Sequence, residues 1–351
     1  MGFYSRRDIE QALDGGAIKI YSPRGIKISE ASVDIGFGDI YYNSDFEKMV
    51  EAHPSKEESF WEYRDRHCKP LKFEMGYEML PSRHVHIAES EEFVEIPNGI
   101  QREVTARSSS ARMFLRVDSD VDFHRGHSWE CYIGRIPIFL NTLGPGIKLY
   151  KEERYAQLFL HDLESYLMGK DLGNVLKRGE IKVVKDGKCL NPWNFVAYDK
   201  ECTSDIILTL DENIKLLKSK KFFDPRESSS DHFEDFHLRH GLTVDLAAGT
   251  LFLASTAEKV SLSENYMGML EEIYRPGPFG DRLTVHPNAP FHLPSSNWNL
   301  VLECHADTDI ELKAGMPIAK MKIWRMNSPA EYCGRYTDQN GVVESRAHLG
   351  L

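Results

Sequence analysis

Apolar and polar residues alternate over short stretches through most of this chain, the period-two pattern of half-buried strands. Residues 181–184, 206–210, 250–255 and 321–324 are examples, each set off by Gly, Pro, Asn or Asp. Helical periodicity is confined to a few places. Ser5-Arg6-Arg7-Asp8 reads as a capping box, Ile9, Ala12 and Leu13 form one apolar face, and Gly15-Gly16 end the helix before a strand over 17–20. A further helical stretch is expected over 58–65. Residues 218–234 (KSKKFFDPRESSSDHFE), polar and broken by proline, read as a surface loop. Strands this short and this frequent predict a mainly β fold of the barrel or jelly-roll type.

The same pattern occurs twice. Asp8-Ile9, Leu13, Gly16 and Ile18-Lys19-Ile20 return as Asp171-Leu172, Leu176, Gly179 and Ile181-Lys182-Val183, at a constant offset of 163. Residues 84–100 return as 250–266 at an offset of 166, with Ala88/Ala254, Glu92/Glu258 and Val94/Val260 identical. Ser32-Val33-Asp34-Ile35 loosely parallels Thr203-Ser204-Asp205-Ile206 between them. Echoes in one order at nearly one offset indicate an internal duplication. Two domains are expected, 1–163 and 164–351, in line with a length of 351 residues.

Residues 285–303 (VHPNAPFHLPSSNWNLVLE) read as strand, proline-stiffened loop and strand. The second strand carries one acid, Glu303, between Leu302 and Cys304. A carboxylate among apolar neighbours faces water, is paired, or sits in a site that uses a raised pKa. His286 and Ala289 lie in the loop before it. Arg107-Ser108-Ser109-Ser110-Ala111-Arg112 sets two guanidiniums around three hydroxyls, which suits a phosphate chain or makes a polar turn. The tail Gly334-Arg335-Tyr336-Thr337-Asp338-Gln339-Asn340-Gly341 could close over a base and its phosphates, or be a loose terminus. His232, His237 and His240 lack the H-E-x-x-H spacing and read as a solvated loop.

Composition narrows the classes. Hydrophobic residues make up 41%, enough for a core. Lys and Arg number 43 against 54 Asp and Glu, a net charge of −11 that argues against a general nucleic-acid surface. No apolar run approaches the roughly 18 residues of a membrane span. The N-terminus has no apolar signal region, and Arg6 breaks the myristoylation pattern. The six cysteines have no C-x-x-C spacing, so structural zinc is not expected and a reducing cytoplasm is. Walker A, GxGxxG, G-x-S-x-G and zinc-deaminase H-x-E…P-C-x-x-C patterns are absent.

Taken together, RRDIEQALDGGAIKI with ASVDIGFG, the RSSSAR run, VH-x-x-A followed 18 residues from Val285 by Glu303, AGMPIAKMKI, and GRYTDQNGVVESR resemble the dCTP deaminase family of the dUTPase-like superfamily, in its long two-domain form. The resemblance implies two tandem dUTPase-like barrels with short N-terminal helices and a zinc-free hydrolytic deamination of dCTP to dUTP and ammonia. By position, Glu303 would be the general acid/base and the Ala289 carbonyl a water-holding group, with His286 shaping the loop. Ser108 and Arg112 would lie near the reacting base. Arg107 and Ser109 would contact phosphate, with Arg275, Arg335 and Tyr336 as further substrate contacts, and Gln339 would read the base. Mg²⁺ would enter on the triphosphate, with no protein metal site, and dTTP would be a feedback ligand. A homo-oligomer, a trimer by family precedent, is expected in the cytoplasm, with neither nucleic acid nor membrane as partner.

Two departures qualify this. RSSSAR stands in the first repeat and the acid in the second, so neither repeat holds a complete site, and a composite one is expected. Leu293 replaces an Asp that in the family meets the sugar hydroxyl. Two other readings follow: dUTP pyrophosphatase chemistry, alone or in addition, and a nucleotide-binding regulator without catalysis.

Overall fold

The computed structural model describes residues 2–42, 64–66, 68–71, 76–81, 85–119, 131–162, 166–191, 196–198, 204–239, 241–273, 283–286, 289–294, 297–334, 336 and 340–349. The chain is mainly β and forms two compact units. One holds Arg6–Leu163 with Lys220–Ser229 and Ser345–Leu351. The other holds Met1–Ser5, Glu164–Ser219 and Ser230–Glu344. Of the helix expected over 58–65, residues 64–66 are helical and the rest lies outside the described residues.

Each unit begins with the same device. Helix Arg6–Asp14 buries Ile9 and stops at Gly16, whose φ of 69° is left-handed. Gly16 N–H donates to Leu13 and Ala17 N–H to Ala12. Helix Gly169–Lys177 buries Leu172, Val175 and Leu176 and stops at Gly179, φ 71°, with Gly179 N–H on Leu176 and Glu180 N–H on Val175. A residue with a Cβ would be strained at either glycine, which is why the pair recurs at the turn into the strand.

In the first unit a long strand, Val33–Tyr42, bends at a register shift between Phe37 and Ile40. Its first part pairs with Arg154–His161 and its second with Val85–Ile96. Gln101–Ala106 and Tyr132–Thr142 extend the sheet on either side, and Leu115–Asp118 pairs with the latter strand. The second unit repeats the plan. Ser204–Leu217 carries a register shift between Leu210 and Ile214 and pairs with Pro317–Arg325 and Leu251–Leu262. Asn297–Ala306 pairs with Leu251–Leu262 on one side and Leu283–His286 on the other.

The identical acids of the two repeats explain the bends. Glu92 is 1% exposed and accepts the Gly36 N–H at 3.0 Å; burial pushes its carboxyl above the usual range. Glu258 accepts the Thr209 N–H at 2.7 Å and the Thr209 hydroxyl at 2.6 Å. Two residues earlier, Ser90 donates to the Glu92 carbonyl and accepts Ile136 N–H; Thr256 does the same with Glu258 and Leu300. These side chains take up backbone groups that the bulge removes from the ladder.

The expected surface loop over 218–234 is corrected in its central part. Phe223 is fully buried in the first unit, its N–H donating to Gly146 at 2.9 Å and its carbonyl accepting Lys148 N–H at 2.8 Å. Asp224 accepts from Lys148 Nζ and the Tyr150 hydroxyl, each at 2.9 Å. Arg226 lies over the Tyr150 ring at 3.6 Å. Polar residues hid this anchor because each finds its partner more than seventy positions earlier. Phe233–His237 forms an edge strand on Ser204–Leu217.

Candidate functional site

The sequence-predicted residues fall into two groups, one in each unit. In the first, strand Gln101–Ala106 ends where Arg107 N–H donates to Tyr155, and Ser108–Ala111 make one helical turn. Phe114, buried with φ 59°, terminates it. Arg107 donates to the Arg154 carbonyl at 3.1 Å and stands 3.6 Å from the buried Asp34 carboxylate. Ser109, Ser110 and Arg112 are buried, and Ser108 is half-buried.

A cleft opens beside this turn, lined by Arg107, Ser109 and Ser110 with Glu153, Arg154 and Pro225 among others. Guanidinium and hydroxyl donors on one wall suit an anion. Ser108 and Arg112 share the turn but do not line this cleft. Sequence reading missed Arg154, which pairs with Gly36 on Val33–Tyr42 and carries no motif of its own.

In the second unit Glu303 stands within Asn297–Ala306, opposite Leu253 on one neighbour and His286 on the other. It is 3% exposed, between the buried Leu302 and Cys304. A solvent-facing role, open from the sequence, is thereby removed. In the first unit the matching ladder position, opposite Ile87, holds Phe139. The first repeat therefore carries a ring where the second carries its acid. His286 is the backbone ladder partner of Glu303. Ala289 is half-buried in the bend that follows, and Pro290 spends its carbonyl on Leu270 N–H at 2.8 Å. Leu293 is half-buried.

Tyr336 is buried, so this part of the tail is docked. Its N–H donates to the Tyr332 hydroxyl at 3.4 Å, and the Tyr332 ring meets Trp298 edge-on at 4.8 Å. Farther along, Gly341 N–H donates to Asn299 Oδ1 at 3.2 Å, while Asn299 Nδ2 donates to the Thr256 carbonyl at 2.7 Å. Trp298, Asn299 and Tyr332 thus tie the tail to the strand that bears Glu303. Arg275, Arg335 and Gln339 lie outside the described residues.

His292, beside Trp298 at 5.2 Å, donates Nε2–H to the Val260 carbonyl at 3.0 Å. Its complete burial lowers its pKa from 6.5 to about 4. The unfolded chain binds this proton below about pH 6.5 and the folded chain only near pH 4, so the stability contributed by His292 falls as pH drops through that window and is constant above it. The loss is roughly 3 kcal/mol at the acid end. Denaturant midpoints measured down to that pH should fall less steeply in His292→Gln, whose amide keeps the bond to Val260 without titrating.

Among the described residues, no group of three or more His, Cys, Asp or Glu side chains could hold a metal ion, and no helix is long and apolar enough to cross a membrane.

Known proteins identify the fold and the family. The structure of 2′-deoxycytidine 5′-triphosphate deaminase from Agrobacterium tumefaciens matches with a TM-score of 0.71 at 17% identity, over 94% of this chain and 99% of that one. That likeness defines the class, a duplicated barrel fold. A family profile described as dCTP deaminase-like matches residues 3–163. A dCTP deaminase, dUMP-forming, of Salinispora arenicola is 31% identical over 155 residues, 41% of this chain and 80% of the relative. One from Streptomyces coelicolor is 35% identical over 115 residues, 30% of this chain and 59% of the relative. The chain belongs to the dCTP deaminase family. Its profile match falls on the repeat that has Phe139 in place of the acid.

Proposed function

We propose that the chain hydrolyses the 4-amino group of dCTP, giving dUTP and ammonia, with Glu303 as general acid/base and without zinc. Glu303 takes a proton from water as the oxygen adds to C4, passes it to N3, and returns a proton to the departing amine, leaving a C4 carbonyl. The Ala289 carbonyl holds the water and His286 shapes its loop. Ser108 and Arg112 attend the base, while Arg107 and Ser109 take the phosphates with Arg275, Arg335 and Tyr336. Gln339 reads the base, and Mg²⁺ enters on the triphosphate. The first repeat thus supplies phosphate-holding groups and the second the acid. A cytoplasmic homo-oligomer under dTTP feedback is part of the same proposal.

The observation that carries this reading is the burial of Glu303 between Leu302 and Cys304, at the ladder position where its twin has Phe139. Family membership supplies the substrate class. A second reading has its own support: the relatives from Salinispora and Streptomyces are named as dUMP-forming, so release of pyrophosphate from dUTP is proposed as an additional step. Purified protein incubated with each dNTP and NTP plus Mg²⁺, with ammonia and pyrophosphate followed separately, tests both. Ammonia from dCTP alone is expected. Nucleotide binding without ammonia from any of them would leave a regulator in place of an enzyme.

A further inference from the structure

The cleft beside Ser109 has a charge balance that the RSSSAR motif does not settle. Arg107 faces Asp34 at 3.6 Å, and Arg154 faces Glu92 at 3.9 Å. Both guanidiniums are therefore already faced by buried carboxylates; Asp34 also has Lys27 at 3.6 Å, a side chain 45% exposed. A third carboxylate, Glu153, lines the same cleft and is 7% exposed. Left alone, it would set a desolvated negative charge beside any anion entering there.

Arg226 answers it. Its Nε donates to Glu153 Oε1 at 2.8 Å, its Nη2 reaches Glu152, and its guanidinium lies over the Tyr150 ring. The Tyr155 hydroxyl, 3.4 Å from the other Glu153 oxygen, completes the carboxylate's surroundings. Pro225, next to Arg226, forms part of the cleft wall. The anchored segment Lys220–Ser229 thus brings both a wall and the compensating cation, although it belongs by sequence to the second repeat.

We propose that Arg226 is a positioning residue that makes the Ser109 cleft accept polyphosphate by neutralising Glu153, a role that rests on the reading of this cleft as the phosphate subsite. Arg226 acts through Glu153 and need not touch the ligand. The class of ligand is a di- or triphosphate, whose repulsion by an open Glu153 exceeds that of a nucleoside.

Calorimetric titration of the full chain with inorganic tripolyphosphate tests this. Arg226→Ala should weaken binding about tenfold, an effect that shrinks as salt is added. Arg226→Lys should retain most of the affinity, and Glu153→Gln should bind as tightly as the parent or tighter. The double variant Arg226→Ala/Glu153→Gln should recover to within roughly threefold of the parent, because the charge to be neutralised is gone. A double variant as weak as Arg226→Ala would mean a packing role and overturn the proposal, as would an Arg226→Ala protein that binds like the parent. A parent chain that binds no tripolyphosphate would overturn the phosphate reading of the cleft along with it. Failure of dCTP turnover with the binding pattern intact would remove the deaminase reading alone.

Discussion

Glu303→Gln should lower ammonia release from dCTP by two to four orders of magnitude, the range of ~10²–10⁴ that a positioned general acid/base contributes, while nucleotide affinity stays near that of the parent. The amide has the shape and hydrogen-bonding reach of the carboxyl but cannot shuttle a proton. Since Glu303 is 3% exposed within a three-strand neighbourhood, a change that preserves volume leaves the packing in place. The split between turnover and binding is the informative readout: a packing defect would weaken both. Phe139 provides the control. It occupies the matching ladder position in the first unit, so Phe139→Leu should touch stability and spare the chemistry. Ammonia release by Glu303→Gln near the parental rate would reject the assigned acid.

The second large effect is on folding. Phe223→Ala should destabilise the first unit by about 3–5 kcal/mol, the usual cost of emptying a fully buried aromatic site. Phe223 is fully buried, near Phe114, and flanked by two backbone bonds to the strand Gly146–Tyr150. Its neighbour Phe222 is only half-buried, so Phe222→Ala should cost clearly less. Denaturant unfolding read from each variant checks the pair. A Phe223→Ala change below about 1 kcal/mol, the scale of an ordinary surface substitution, would return the segment to the status of a loose loop.

Much of the architecture could be read from residue pattern alone because its causes are local. The glycines at 16 and 179 mark helix ends through their own backbone freedom, and alternation marks strands through their own period. The duplication was visible for the same reason: identical residues such as Glu92 and Glu258 recur where a bulge needs a buried acceptor, even though that need becomes apparent only in three dimensions. Glu303 stood out as an acid among apolar neighbours, but its burial depends on strands far away in sequence.

What stayed hidden depends on distant partners. The segment around Phe223 looks hydrophilic because Asp224 and Arg226 are charged, and nothing nearby reveals Lys148, Tyr150 or Glu153 as their partners. Arg154 carries no motif. Trp298 and Asn299 read as ordinary strand residues until Tyr332 and Gly341 arrive beside them. The RSSSAR run could be called an anion site from its donors, but the acids Asp34, Glu92 and Glu153 that temper it come from three other stretches of chain.

The traded segments bear on how such a chain can be divided. Phe3 packs among Phe291 and Trp324, and Phe223 fills the interior of the other half, so scission near residue 163 would leave each fragment with a hole that its own residues cannot fill. Neither half cut at that boundary is a self-sufficient module, because each lacks a segment that belongs to its own compact unit.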